Sequence, residues 1–236
     1  MYLKKLAFVF AFSVVLFSFY SFTFASEEGI TWAELPEDNS LKHRQLIEND
    51  KDLQKLFIFS NSSFDSKEAY SIIKRISILP SFMLERLVEE NVRIKLFTGS
   101  LTDNRSARHL KGETPRGYTN VGHTWDDVPG MGGSRTVLVK IGASQKGSGH
   151  GSVNLELHEL AHTIDTIVYG KIREDEAFLQ IWKEESTSLF PGQAYFLEHP
   201  EEYFAETFSM YYLDASDRAL LKKKAPNTYL FIKQLN

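Results

Sequence analysis

The sequence predicts an α+β fold, with a small α/β N-terminal lobe packed on a mainly helical lobe that carries a two-histidine helix. Three observations predict it. A strand–helix–helix–strand order fills about residues 53–100, a strong strand follows near residue 135, and almost everything after residue 153 has helical periodicity. No internal repeat interrupts that order. The expected lobes run about 27–133 and about 134–236, within a single domain covering 26–236.

The chain opens with "MYLKK", followed by "LAFVFAFSVVLFSFYSFTFA", an uncharged run from Leu6 to Ala25. Thr23 and Ala25 are small residues placed before Ser26 and the acidic "EEG", so residues 1–25 read as a signal peptide and the rest as secreted. The alternative is an uncleaved anchor, since an apolar run of about twenty residues can span a bilayer. If the leader is removed, no stable membrane partner is expected. Residues 27–52 are polar, with a short helix expected around "SLKHRQLIEND".

"KLFIFSN" reads as a buried strand, "SKEAYSIIKRI" as a helix and "PSFMLERLVEEN" as a second helix with proline in its first turn. In the latter, Phe82, Leu84, Leu87 and Val88 recur at helical spacing. "VRIKLFTGS" closes the unit as a strand. Residues 101–133 are turn-rich, and "SRTVLVKIGA" then gives a strand from Arg135 to Ala143. Whether this strand is central or offers a free edge is open, because its apolar run suits either. "SQKGSGHGS" is a glycine-rich connector, and His150 within it reads as a solvent-exposed loop residue. "REDEAFLQIWKEESTSLF", "HPEEYFAETFSMYYLD" and "PNTYLFIKQL" complete a helical remainder.

Composition removes several function classes. The 236 residues include no cysteine, which excludes disulfides, thiol catalysis and thiolate metal ligands. A net charge of -4 without a long basic run leaves nucleic acid little to bind.

The chemistry concentrates in "LELHELAHTIDTIVYG", Leu155 to Gly170. At about 100° per residue, Val153, Leu157, Leu160, Ala161, Ile164, Ile167 and Val168 form one apolar face. His158, Glu159, His162, Asp165, Thr166 and Tyr169 gather on the other. Ser152 can cap the start and Gly170 can end the helix. A lone helix histidine is ordinarily a surface or core residue. Two of them one turn apart, with a glutamate after the first, form H-E-x-x-H, whose imidazoles close on one cation.

Two histidines need a third protein ligand. In "HPEEYFAETFSMYY", helical phase aligns Glu202 with Glu206, and like charges one turn apart are mildly destabilising on a free helix. The conflict disappears if Glu202 ligates the metal while Glu206 accepts a ligand imidazole N–H. An acidic first turn on the helix dipole would account for Glu201 and Glu202 but less well for Glu206. Glu159 is offset from both histidines, so it cannot ligate the same ion. It can take a proton from a water at the open position, which a structural site would not need.

"HELAHTID" followed some forty residues later by "EEYFAETF" resembles the catalytic domain of anthrax toxin lethal factor and the smaller secreted Pro-Pro endopeptidases. Size, exported start and the "HTWDDVPG" loop are most similar to the latter branch. The resemblance implies a zincin-type catalytic lobe holding one Zn2+ per chain on His158, His162 and Glu202, with Glu159 as general base. It implies that Tyr195, seven residues before Glu202, polarises the scissile carbonyl, a role a phenol O–H can perform. It also implies that Trp125 lines the cleft against substrate prolines, where a flat indole suits rigid rings lacking an N–H. The other reading of Trp125 is a loop aromatic tucked over its own lobe. The branch often has a histidine where Thr166 stands.

The expected activity is therefore a secreted zinc metalloendopeptidase cutting proline-rich (Pro-Pro) sequences of extracellular or surface proteins. A toxin-like protease acting on host signalling proteins is the rival enzyme, although large delivery domains are missing from this chain. A non-catalytic surface-binding module that keeps zinc as scaffold is the rival from another class, and the intact Glu159 speaks against it.

Overall fold

A computed structural model of the chain describes residues 27–42, 50–115 and 122–235. The expected leader, most of the helix expected in "SLKHRQLIEND" and part of the turn-rich stretch lie outside those residues. Among the described residues no helix is long and apolar enough to cross a membrane.

The architecture is α+β, built on one five-stranded sheet of order β1-β2-β3-β5-β4. Its strands are β1 (Ile30–Thr31), β2 (Phe57–Phe59), β3 (Arg93–Phe97), β4 (Gly130–Met131) and β5 (Thr136–Lys140). β2, β3 and β5 run parallel, while β1 and β4 add antiparallel edges. β2 and the interior of β5 are buried throughout, as parallel strands covered on both faces should be. Strands from both sides of residue 133 share this sheet, so the two expected lobes are joined by hydrogen bonds as well as by packing.

The helices are α1 (Asp50–Leu56), α2 (Ser66–Ile76), α3 (Ser81–Glu89), α4 (Leu155–Thr163), α5 (Glu176–Leu189), α6 (Ala194–Glu198), α7 (Pro200–Leu213), α8 (Ala215–Lys224) and α9 (Pro226–Gln234). Lys55 and Leu56, expected in a strand, belong to α1, and β2 starts only at Phe57. α2 begins where Asp65 accepts from the Lys67 and Glu68 N–H groups, and Lys74 and Arg75 complement the dipole at its far end. α3 turns Met83, Leu84 and Leu87 fully inward, leaving the expected Phe82 and Val88 at the margin of the core. α9 has no side-chain cap of its own. Instead buried Glu185 of α5 accepts from Asn227 N–H, Thr228 N–H and Thr228 Oγ1–H, all at 2.8 Å.

Strand alternation sorts the core. Ile94, Leu96, Val137 and Val139 face the main core, which continues through Leu157, Leu160, Phe178, Tyr203, Phe204 and Phe208. Leu138 and Phe97 face a smaller cluster with Leu101 and Ala107, packed by Trp125, Val128 and Met131. Lys95, paired in register with Leu138, is buried as well. Its ammonium donates to Glu27 Oε1 at 3.1 Å, and the same carboxylate accepts the Arg105 and Ser106 N–H groups at 2.8 Å. The first described residue thereby neutralises a buried charge in the sheet. Within the helical part, α4 and α7 form the most extensive packed pair, and that pairing builds the site.

Candidate metal centre and its cleft

α4 is started by Asn154, whose side chain accepts the Leu157 N–H at 3.0 Å, and not by the expected Ser152. Val153 stays outside the helix. Beyond Thr163 the backbone widens into a π-helical segment, Ile164–Val168, which shifts the expected helical phase at Asp165 and Thr166. Gly170 (φ 65°) then ends it, as expected.

His158 and His162 project from α4 toward Glu202, which Pro200 at the start of α7 positions in the first turn. His158 Nε2 and His162 Nε2 are 3.2 Å apart, and Glu202 Oε2 lies 3.3 Å and 3.4 Å from them. Ligands at 2.0–2.1 Å in tetrahedral directions lie about 3.3 Å from one another. The triangle therefore has the edge lengths of one face of such a site, and its donor atoms fit a divalent metal.

Glu206, one turn along α7, sits behind the triangle. Its Oε2 accepts from His158 Nδ1–H at 3.2 Å and its Oε1 accepts the Val153 N–H at 3.0 Å. That bond leaves Nε2 of His158 as the atom facing the metal position. The electrostatics agree with a cation site. Burial opposes a charge on His158, but the hydrogen bonds to Glu202 and Glu206 prevail and raise it to about 10 in the metal-free cluster. Burial would raise Glu202, yet His158 and His162 hold its carboxyl well below the usual carboxylate range. Such a cluster carries protons until a metal replaces them.

Glu159 lines the same cleft, where burial pushes its carboxyl up against the pull of both imidazoles. The segment carrying β4 lies directly on it. A Cβ at Gly130 would come within 2.8 Å of Glu159 Cγ, and one at Gly132 within 1.9 Å of the Glu159 carbonyl oxygen. Only glycine allows this approach. Thr163 and Thr166 fasten the next turn, with Gly133 N–H donating to Thr163 Oγ1 at 3.1 Å and Thr166 Oγ1–H donating to the Gly133 carbonyl at 3.0 Å.

The cleft holds about 530 Å³ and is open to solvent. Tyr195, on α6, borders it with 41% exposure and its ring against Phe196 and His199. Trp125 borders the cleft and also packs on the smaller cluster. Its backbone N–H donates to the Glu113 carbonyl at 2.9 Å, and neighbouring Asp126 collects Thr102 Oγ1–H, Gly112 N–H and Thr124 Oγ1–H. His150 is half-buried, not exposed as expected. Both ring nitrogens are engaged, at 2.7 Å from Ser152 Oγ and 2.8 Å from the Ala143 carbonyl. β5 lies inside the sheet, and among the described residues the edge strand beside the cleft is β4, which is too short to have given a strand pattern.

The family described as "Anthrax toxin lethal factor, N- and C-terminal domain" matches residues 44–235. A Pro-Pro endopeptidase of Clostridioides difficile (strain 630) is 43% identical over 191 residues, covering 80% of this chain and 86% of that protein. A Pro-Pro endopeptidase of Paenibacillus alvei is 38% identical over 183 residues, covering 78% and 84% respectively. The solved structure of the Pro-Pro endopeptidase PPEP-2 from Paenibacillus alvei superposes with a TM-score of 0.75 at 37% identity, covering 78% of this chain and all of that one.

Proposed function

The chain belongs to the anthrax toxin lethal factor family, in its Pro-Pro endopeptidase branch, and from that premise we propose that it works outside the cell as a zinc-dependent endopeptidase. It is a peptidase that hydrolyses Pro-Pro bonds, and its substrate is a proline-containing peptide. The finer reading takes residues 1–25 as a removed leader, residues 26–236 as the working domain, and proline-rich surface or extracellular proteins as targets.

One observation carries the site assignment: three donor atoms 3.2–3.4 Å apart, with the acidic side chain of Glu159 lining the same cleft outside the triangle. His158, His162 and Glu202 would hold the metal, and two imidazoles with one carboxylate in a cysteine-free chain favour Zn2+. When bound, zinc supplies Lewis acidity, easing proton loss from water and drawing electron density from the scissile carbonyl. Glu159 takes the proton from the attacking water and hands it to the leaving nitrogen, and its raised pKa suits a group that must do both. The Tyr195 phenol donates to the carbonyl oxygen as negative charge develops there. Glu206 fixes the His158 tautomer, and Trp125 offers an apolar wall to substrate prolines.

Purified protein should carry one zinc per chain and cleave a proline-rich peptide library only between prolines. Chelation should abolish cleavage and added zinc restore it. Protein without zinc, or cleavage that survives chelation, would refute this assignment.

A further inference from the structure

Arg173 lies outside the pattern that marked the metal centre, yet its side chain borders the same cleft. It follows Lys171, held in the left-handed region at φ 79°, in a short 3-10 turn, Ile172–Glu174, that packs on α7. The Arg173 N–H donates to Asp165 Oδ1 at 3.0 Å, while Nε donates to Asp165 Oδ2 and Nη2 forms an ion pair with the same oxygen. Asp165 is fully buried in the π-helical segment beyond α4, whereas the Arg173 side chain keeps 26% exposure. The guanidinium is clamped along one edge. Among the described residues no protein acceptor takes its Nη1 edge.

We propose that Arg173 is a specificity-determining residue, donating from this open edge to a backbone carbonyl of the proline-rich substrate, with Asp165 as its positioning partner. The inference rests on the peptidase reading above. Two physical points select the ligand. A run of prolines has no N–H to give and presents only carbonyl acceptors, so a cleft that holds it must supply donors. Asp165 also cancels the guanidinium charge, which leaves N–H groups that suit a neutral amide oxygen better than a carboxylate or phosphate.

The test measures kcat/KM on a Pro-Pro peptide and on copies bearing one thioamide at a time outside the scissile bond, because sulfur accepts hydrogen bonds more weakly. Wild-type protein should lose activity at one thioamide position. Arg173→Ala should lower kcat/KM on the unmodified peptide about 10- to 100-fold, mostly through KM, and should no longer sense that position. Arg173→Lys keeps a cation beside Asp165 but cannot both pair with it and reach the substrate, so it should behave alike even if the alanine variant folds poorly. Metal content should match wild type in both. A thioamide penalty that persists in the variants, or a loss confined to kcat, overturns the Arg173 assignment alone. If wild-type protein fails to cut the unmodified peptide, the peptidase reading falls and takes this assignment with it.

Discussion

The middle of the α4 segment and its two ends handle acidic side chains in opposite ways. At the front, Glu156 is fully buried and accepts from Arg75 of α2. At the back, Asp165 is fully buried and paired with Arg173. Each end brings its own cation from another part of the chain. In the middle, Glu202 and Glu206 engage His158 and His162, with Glu159 beside them, so the acids there face imidazoles that can also bind a metal. The ends fasten the helix to the fold, and the middle gathers donor atoms that fit a divalent metal.

That contrast can be broken at Glu159. Glu159→Gln should keep its metal, because the residue is outside the donor triangle, and should lower kcat by about 10²- to 10⁴-fold as expected for a lost general base. Metal analysis and steady-state kinetics on one preparation decide it, and loss of zinc would erase the distinction between base and ligand.

The front end should respond in the other currency. Arg75→Ala strands the Glu156 carboxylate, whose Oε2 has no hydrogen-bond partner among the described residues, and should cost about 3 kcal/mol, the low end for a broken buried pair because Arg75 is 30% exposed. Urea unfolding would read that loss, while kcat per folded molecule should stay near wild type. A collapse in kcat at unchanged stability would mean that the ends take part in the chemistry.

Glu27 and Lys95 sharpen the same comparison far from the cleft. Glu27→Gln should cost about 1–2 kcal/mol by leaving Lys95 buried without its counterion. Burial alone would raise the Glu27 carboxyl, but hydrogen bonds from Ser106 and Lys95 lower it below 4.5. The stabilisation is therefore present above pH 4.5 and fades as pH falls through the lowered value. The urea midpoint gap between wild type and variant should accordingly narrow in acid, and a gap that widened there would contradict the pairing.

What could be read from the chain follows from which signals are local. His158, Glu159 and His162 share one helix, so their common face follows from a 3.6-residue period, and Glu202 with Glu206 show the same regularity. Val137 to Val139 and Ile94 to Leu96 announce buried strands by composition. β1 and β4 are two residues each and carry no period at all. The π-helical widening after Thr163 breaks the rule that the phase argument uses. Arg173 and Arg75 meet their acids 8 and 81 residues away, and no spacing rule links such partners. Asn154 displaced Ser152 as the cap because both are good capping residues two positions apart and only the turn geometry decides between them.

The contact of Gly132 on the Glu159 carbonyl constrains how this protein can be altered. Position 132 accepts no side chain, even a methyl, without prising the sheet edge away from the residue that would move the proton. Gly147, by contrast, faces open space, and it is the positive φ of 89° that favours glycine there. Mutational libraries aimed at new cleavage preferences would do best to leave position 132 untouched and spend their diversity on the rest of the rim.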